Sequence, residues 1–153
     1  MLRKMKVTLN INNEEKIVEI KPDEKLLDTL RANNYKSVKF GCGEGTCGTC
    51  TVLINGKPTL SCITFTAHAA GKNITTLEGV GSIDKLTKLQ KSFIKEGAVQ
   101  CGYCTPGMIL SAKALLDKNP KPTVEEIKKA LDGNKCRCTG YGSIIKAIQK
   151  AAE

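Results

Sequence analysis

The sequence predicts an α+β chain of two small domains: a mixed β-sheet with one helix, followed by a four-helix bundle. Three observations lead to this prediction. Residues 5–20 and 51–64 each show the strand–turn–strand pattern of a β-hairpin. After residue 83, apolar residues recur at helical spacing. The eight cysteines among the 153 residues divide four and four between these halves. We expect domains at 1–76 and 83–153, joined by a short flexible link at 77–82.

A hairpin and then a helix are expected at the start of the first domain. Apolar residues alternate with polar ones over 5–20, around a turn at Asn12 and Asn13. Asp23 is a candidate N-cap for a helix that runs to about Ala32. The apolar stripe of this helix consists of Leu26, Leu27 and Leu30. The helix is therefore predicted to pack on one face of the sheet.

A second hairpin is expected in the same domain. Residues 51–54 predict a strand, an Asn-Gly pair predicts a two-residue turn, and residues 58–64 predict the return strand. This hairpin carries Cys62 back beside Cys50. Residues 74–77 predict a last short strand. The hairpin explains how two cysteines that are distant in sequence can belong to one compact site.

Four helices are predicted in the second domain. The first is expected over 86–94, where the apolar residues have helical spacing. The second opens with Thr105 as N-cap and Pro106 at the first helical position. The third opens with a capping box at 123–126, and the fourth is capped by Ser143. These helices predict a small bundle.

Residues 41–50 contain three cysteines and four glycines. Glycine lets the backbone adopt positive φ and approach a bulky inorganic group closely. The spacing C-x4-C-x2-C is the plant-type pattern for a [2Fe–2S] cluster, and it needs a fourth cysteine downstream. The second hairpin supplies that cysteine. The first candidate set of metal ligands is Cys42, Cys47, Cys50 and Cys62.

The second candidate set of ligands lies in the helical half and consists of Cys101, Cys104, Cys136 and Cys138. Each pair precedes a predicted helix, and helix N-termini offer free N–H groups and a positive dipole to an anionic cluster. Arg137 adds a positive charge that favours ionised thiols. A thioredoxin-like dithiol is disfavoured by the helical surroundings. A structural Cys₄ zinc site has similar spacings and stays open for this set.

Composition and charge argue against a secreted, a membrane-spanning or a nucleic-acid-binding protein. The N-terminus lacks the apolar region of a signal peptide, and no apolar run is long enough to span a bilayer. We therefore expect a cytoplasmic chain whose clustered thiols bind metal rather than form disulfides. The net charge of +9 comes from scattered lysines without interleaved aromatic residues, which disfavours nucleic-acid binding. His68 is the only histidine, and we expect no catalytic residue in this chain.

Three motifs, at 41–52, 99–108 and 133–141, resemble the small iron–sulfur subunit of the molybdenum hydroxylases. This family includes xanthine dehydrogenase, aldehyde oxidoreductase and carbon monoxide dehydrogenase. The resemblance covers nearly the whole chain. It implies a plant-type ferredoxin-like (β-grasp) domain followed by a helical [2Fe–2S] domain. It also implies that the first cysteine set holds the cluster nearer a flavin and the second set the cluster nearer a molybdopterin.

The resemblance also implies roles and partners. Gln100 and Cys138 would face the pterin, whereas Glu44 and Gly45 would face the flavin. The chain would be an oxidoreductase subunit without a catalytic centre of its own, relaying single electrons from a molybdopterin centre through two [2Fe–2S] clusters to FAD or another acceptor. The molybdopterin cofactor and FAD are expected on a large and a medium partner subunit. A free-standing two-cluster ferredoxin and a zinc-stabilised interaction module are the alternatives.

Overall fold

The computed structural model describes residues 3–153. They form a five-stranded sheet with one α-helix, followed by four further α-helices. The strands are β1 (Met5–Ile11), β2 (Glu14–Ile20), β3 (Thr51–Ile54), β4 (Lys57–Leu60) and β5 (Asn73–Thr75). The α-helices are α1 (Leu26–Ala32), α2 (Lys88–Lys95), α3 (Thr105–Lys118), α4 (Val124–Leu131) and α5 (Gly142–Ala152). Short 3₁₀ helices cover Thr66–Ala69 and Leu77–Gly79. The predicted α+β class is confirmed.

The sheet has the strand order β2-β1-β5-β3-β4. Strand β1 is antiparallel to β2 and parallel to β5, whereas β3 is antiparallel to both of its neighbours. Alternate side chains of β1 (Val7, Leu9 and Ile11) are buried, as the pattern of the first hairpin predicts. They share a core with the buried leucines of α1. The helix thus covers one face of the sheet.

Helix α1 begins at Leu26 with Lys25 as its N-cap, so the prediction of Asp23 in that role was wrong. The Glu24 carboxylate accepts hydrogen bonds from the Lys21 N–H (3.2 Å) and from the hydroxyl of Thr29 (2.7 Å). Residues before the helix are therefore held in a turn by Glu24. The predicted apolar stripe of Leu26, Leu27 and Leu30 is buried. The error therefore concerns only where the helix starts.

The second hairpin has the predicted turn but a shorter return strand. Asn55 and Gly56 have φ angles of 50° and 75°, as a two-residue hairpin turn with positive φ requires. Strand β4 ends two residues before Cys62, which therefore lies in the following turn and not in the strand. The hydroxyl of Ser61 donates to the Cys50 carbonyl at 2.7 Å. This contact keeps the turn beside the first cysteine loop.

The segment 77–82, which we predicted to be flexible, is anchored to the first domain. Its 3₁₀ helix places the Glu78 carboxylate where it accepts hydrogen bonds from the backbone N–H (2.9 Å) and the hydroxyl (2.5 Å) of Ser37. Just before it, the side chain of Asn12 bonds both the backbone and the hydroxyl of Thr76. These bonds fix the point at which the chain leaves the sheet.

Helices α2 and α4 both begin with capping boxes, formed by Thr87 with Gln90 and by Thr123 with Glu126. The second box was predicted and the first was not. Helix α2 starts after Leu86 and leaves Ile94 64% exposed, so only part of the predicted apolar stripe is buried.

Two predicted caps of the other helices were wrong. Helix α3 begins at Thr105 itself, with Cys104 as the N-cap. Helix α5 begins at Gly142 with Tyr141 as the N-cap, so Ser143 lies inside the helix. Tyr141 has a left-handed backbone conformation, with φ 68°. Both N-caps therefore belong to the loops that carry the second cysteine set.

The bundle has its own core and also packs against the sheet. Phe93, Met108, Ile127, Ile144 and Ile148 fill the bundle core. A smaller cluster joins Leu53 of β3 to Leu110 and Ala114 of α3. The helical domain therefore packs against the hairpin of β3 and β4, which connects the first cysteine loop to Cys62. Within residues 3–153, no helix is long and apolar enough to cross a membrane.

Candidate metal centres

The loop of the first cysteine set depends on its glycines for conformation and for space. Gly43, Gly45 and Gly48 have φ angles of 74°, 82° and 73°, which side-chain-bearing residues rarely adopt. A Cβ atom on Gly41 would lie 2.8 Å from the Sγ atom of Cys47. The loop therefore keeps the surroundings of its thiols free of side-chain bulk, as a cradle for a group larger than one ion requires.

The four thiols of the first set are arranged in two pairs. Cys47 contributes to the pKa shift of Cys42, and Cys50 contributes to that of Cys62, so the members of each pair are neighbours. The first pair is half-buried at the loop, whereas the second pair is buried beneath it. A [2Fe–2S] cluster takes two protein ligands on each of its two irons. The paired thiols fit that requirement.

The two pairs differ in electrostatics. The pKa of Cys42 is lowered to about 5 by a side-chain hydrogen bond from Thr46, assisted by the backbone N–H groups of Glu44 and Thr46. The pKa of Cys62 is raised to about 12, mainly by burial and further by neighbouring Cys50. A coordinating metal deprotonates a thiol outright, so binding at the buried pair would release protons.

The second set is also arranged in pairs. The Sγ atoms of Cys101 and Cys138 are 3.6 Å apart and both residues are exposed. Cys104 and Cys136 form the half-buried pair, and each of these thiols contributes to the pKa shift of the other. Burial raises the pKa of Cys104 to about 12, and Cys136 adds to this effect. Each domain thus offers one more accessible and one more buried pair of thiols.

Cys136 differs from Cys104 in that hydrogen bonds outweigh the effect of burial on its pKa. Burial by itself would raise its pKa, but hydrogen bonds from Thr139 and from the Cys138 N–H hold the pKa of Cys136 below its ordinary value. The Thr139 hydroxyl lies 3.1 Å from the sulfur and the Thr139 backbone nitrogen 3.5 Å. These donors stabilise negative charge on this sulfur.

The two cysteine sets adjoin although they come from different domains. The Lys135 N–H donates to the Cys47 carbonyl at 2.9 Å. Beside it, the Asn134 side chain donates to the Gly48 carbonyl at 3.0 Å. A Cβ atom on Gly107 would lie 2.5 Å from that same carbonyl oxygen, so the loop and helix α3 are in close backbone contact. Sequence reasoning missed Asn134, although it lies within the 133–141 motif.

The residues expected to face partner cofactors lie at or near the surface. Gln100 and Cys138 are exposed, and so is Glu44, whereas Gly45 is half-buried against Ile63. Four exposed apolar residues lie in or beside the cysteine segments: Phe40 and Ile63 at the first set, and Val99 and Tyr103 at the second. The Tyr103 hydroxyl donates to the Phe40 carbonyl, which links the two segments. Val99 and Tyr103 lie within the 99–108 motif, but sequence reasoning assigned no role to any of these four residues.

The thiols of each cysteine set lie in pairs. Within the part of the chain that the structure describes, no three cysteine, histidine or acidic side chains converge as ligands of one metal ion. The pairing of thiols instead fits a group with two metal centres. His68 is exposed, with its ring edge-on to Phe65, and lies outside both cysteine sets.

Comparison with known proteins agrees with this geometry. Residues 9–74 match the family described as "2Fe-2S iron-sulfur cluster binding domain", and residues 76–149 match the family described as "[2Fe-2S] binding domain". The chain is therefore an iron–sulfur protein with two 2Fe-2S-binding domains, each carrying one cysteine set.

Similar proteins define the family more narrowly. The chain is 52% identical over 153 residues to the nicotinate dehydrogenase small FeS subunit of Eubacterium barkeri, covering 99% of this chain and 98% of that one. It is 40% identical over 164 residues to the aldehyde oxidoreductase iron-sulfur-binding subunit PaoA of Escherichia coli K12, covering 97% and 72%. Quinoline 2-oxidoreductase from Pseudomonas putida 86 has a chain with TM-score 0.94 and 41% identity, covering 97% of this chain and 94% of that one. This chain belongs to the small [2Fe–2S] subunits of the molybdenum hydroxylases.

Proposed function

We propose that this chain is the electron relay of a molybdenum hydroxylase complex. It passes electrons singly from a molybdopterin centre on a large subunit, through two [2Fe–2S] clusters, to FAD or another acceptor. The observation that supports this proposal best is the pair of adjoining cysteine sets, one in each domain, with their thiols in pairs. In this proposal the domains span 1–76 and 83–153, with the link at 77–82.

The eight cysteines are the proposed cluster ligands. One cluster would be held by Cys42, Cys47, Cys50 and Cys62, and the other by Cys101, Cys104, Cys136 and Cys138. A bound [2Fe–2S] cluster supplies one-electron transfer. The protein's own contribution is to pair the thiolates and donate hydrogen bonds to sulfur. Its glycine loop also keeps side chains away from the thiols.

The exposed parts of the two sets are the proposed contact points with the partner subunits. Gln100 and Cys138 would face the pterin of the large subunit, and the Glu44–Gly45 tip would face the flavin. Exposed apolar residues beside the cysteines support this arrangement, because an interface would remove their apolar surface from water. They are Phe40, Ile63, Val99 and Tyr103.

Metal content and cysteine variants test the proposal. The full-length chain should contain iron and acid-labile sulfide for two clusters, and its reduced form should give two EPR signals. Cys47→Ser should abolish one signal and Cys136→Ser the other, whereas His68→Ala, an exposed control, should keep both. A colourless protein with two zinc ions and no sulfide would refute the redox function. Both signals persisting in Cys47→Ser would refute the ligand assignment.

Purification distinguishes a subunit from a diffusible carrier. A subunit should co-elute with a large molybdenum-containing chain and a flavin-containing chain, whereas a free-standing ferredoxin should elute alone. The relative with 52% identity is a nicotinate dehydrogenase subunit, so nicotinate is the first substrate to test with the complex. A complex that turns over another heterocycle or an aldehyde instead would leave the relay function intact.

A further inference from the structure

We propose that Thr139 raises the reduction potential of the cluster in the helical domain and that Tyr141 holds Thr139 in position for this task. Thr139 acts on the cluster through Cys136, so it is a positioning and tuning residue and not a ligand. The inference rests on the proposed function, because it takes Cys136 as a cluster ligand. It concerns only one of the two clusters.

Three hydrogen bonds form a closed ring around the Cys136 side chain. The Thr139 hydroxyl donates to the Cys136 sulfur at 3.1 Å. The Tyr141 backbone N–H donates to the Thr139 hydroxyl oxygen at 3.2 Å. The Cys136 backbone N–H in turn donates to the phenol oxygen of Tyr141 at 3.0 Å. Each of the three residues is thus both a donor and an acceptor in the ring.

The ring determines the direction of the threonine proton. A hydroxyl has one proton to donate and can accept through its oxygen lone pairs. Because Tyr141 donates its N–H to this oxygen, the hydroxyl proton of Thr139 is left to point at the sulfur. The donor to Cys136 is therefore oriented before any charge changes on the sulfur, as preorganised electrostatic stabilisation requires.

Tyr141 adopts an unusual backbone conformation to complete the ring. Its φ of 68° and ψ of −20° lie in the left-handed region, which is unfavourable for a residue with a large side chain. Such strain persists where surrounding contacts determine the conformation, and it is common at functional sites. Here the contacts are the ring itself and the packing of the tyrosine against the bundle core.

The sign of the effect follows from charge. One-electron reduction makes the cluster and its thiolates more negative, so a hydrogen bond to a ligand sulfur stabilises the reduced state more than the oxidised one. Hydrogen bonds to sulfur are among the determinants of iron–sulfur potentials. Thr139 should therefore raise the potential, and its removal should lower it.

The test compares variants of the full-length chain, with its partner subunits where they co-purify, in EPR-monitored redox titrations. Thr139→Val removes the hydroxyl and keeps the shape. It should reduce the equilibrium constant for one-electron reduction of the helical-domain cluster about tenfold, which corresponds to about 59 mV. The potential of the other cluster should stay unchanged. Thr139→Ser should retain the wild-type potential. Ser143→Ala, which removes a nearby hydroxyl that lies inside helix α5, should leave both potentials unchanged.

Several outcomes would overturn the inference. If Thr139→Val contains both clusters and neither potential moves, Thr139 has no tuning role and the relay proposal is unaffected. If the wild-type chain holds no cluster in the helical domain, both proposals fail. If Thr139→Val fails to assemble its clusters, Thr139→Ala also removes the hydroxyl and allows the same comparison of reduction potentials with the wild-type chain. The unmodified protein offers an independent check: the reduced helical-domain cluster should show a strongly coupled exchangeable proton by ENDOR, and its absence would contradict the ring.

Discussion

Replacing Asn134 with alanine should loosen the first cysteine loop from the helical domain. The side chain is only 5% exposed. Its Nδ2 atom donates to the Gly48 carbonyl at 3.0 Å and lies 3.2 Å from the Thr51 hydroxyl oxygen. Its Oδ1 atom accepts from the Ser111 hydroxyl at 2.7 Å. One amide thus joins the loop and strand β3 to helix α3.

The expected loss of stability follows from these three hydrogen bonds. A hydrogen bond contributes about 0.5–1.5 kcal/mol net, and more is lost when a buried partner stays unsatisfied. The Gly48 carbonyl keeps the N–H and the hydroxyl of Thr51 as donors, so the unsatisfied partner is Ser111. The free energy of unfolding should therefore fall by about 3 kcal/mol. For a chain of this size, that corresponds to a fall in Tm of roughly 6–12 °C.

Thermal unfolding followed by circular dichroism measures this change, and the visible absorbance of the clusters reports whether they are lost at the same temperature. Gln149→Ala is the matched control, because it removes an exposed amide from helix α5 and should change stability by less than about 0.5 kcal/mol. A Tm for Asn134→Ala within about 2 °C of the control would refute the view that this amide joins the two domains.

Three further changes test other parts of the structure. Gly48→Ala should destabilise by at least about 3 kcal/mol in urea unfolding, because its Cβ would lie 2.2 Å from a backbone carbonyl oxygen; Gly56→Ala, with a similar φ and open space, should cost only about 1 kcal/mol. Burial raises the pKa of Glu78, but hydrogen bonds from Ser37 and Thr76 outweigh this effect and hold the pKa below its ordinary value. The stability that ionised Glu78 contributes is thus fully present above its unfolded-state pKa and lost as the pH falls through its lower folded-state pKa. Glu78→Gln should therefore lower the urea midpoint at pH 7, and this difference should shrink as the pH falls through that range. Gln100→Ala should keep both EPR signals yet weaken co-elution with the large subunit or slow turnover, and unchanged assembly and turnover would contradict its proposed role.

Local sequence signals predicted most of the elements and the grouping of the cysteines. Alternation, an Asn-Gly turn and a capping box at Thr123 are decided by interactions within a few residues, so they can be read without the fold. The cysteine spacing likewise indicated two sets, because the C-x4-C-x2-C pattern and the second hairpin constrain which thiols can meet. The α+β class followed from these signals.

The errors occurred where the preference of a residue type for the N-cap position competed with other hydrogen bonds of the surrounding loop. Asp23 is a good N-cap residue by type, but Glu24 bonds the preceding backbone and delays the helix to Leu26. Ser143 is likewise a good cap by type, but the position is taken by Tyr141, whose phenol and N–H are engaged in the ring at Cys136. Neither contact has a periodicity or spacing that a single sequence displays.

The contact between the domains brings the segments of the two cysteine sets together. Where the sets adjoin, backbone meets backbone: the Lys135 N–H bonds the Cys47 carbonyl, and Gly107 packs against the Gly48 carbonyl. Backbone atoms, and not flexible side chains, therefore set the separation at this point. In the proposed relay, this contact would hold the two clusters at a separation set by folding, whereas two independent ferredoxins would have to meet by diffusion for each electron. The glycines of the loop therefore serve two purposes, since they leave room around the thiols on one side and permit close backbone contact with helix α3 on the other.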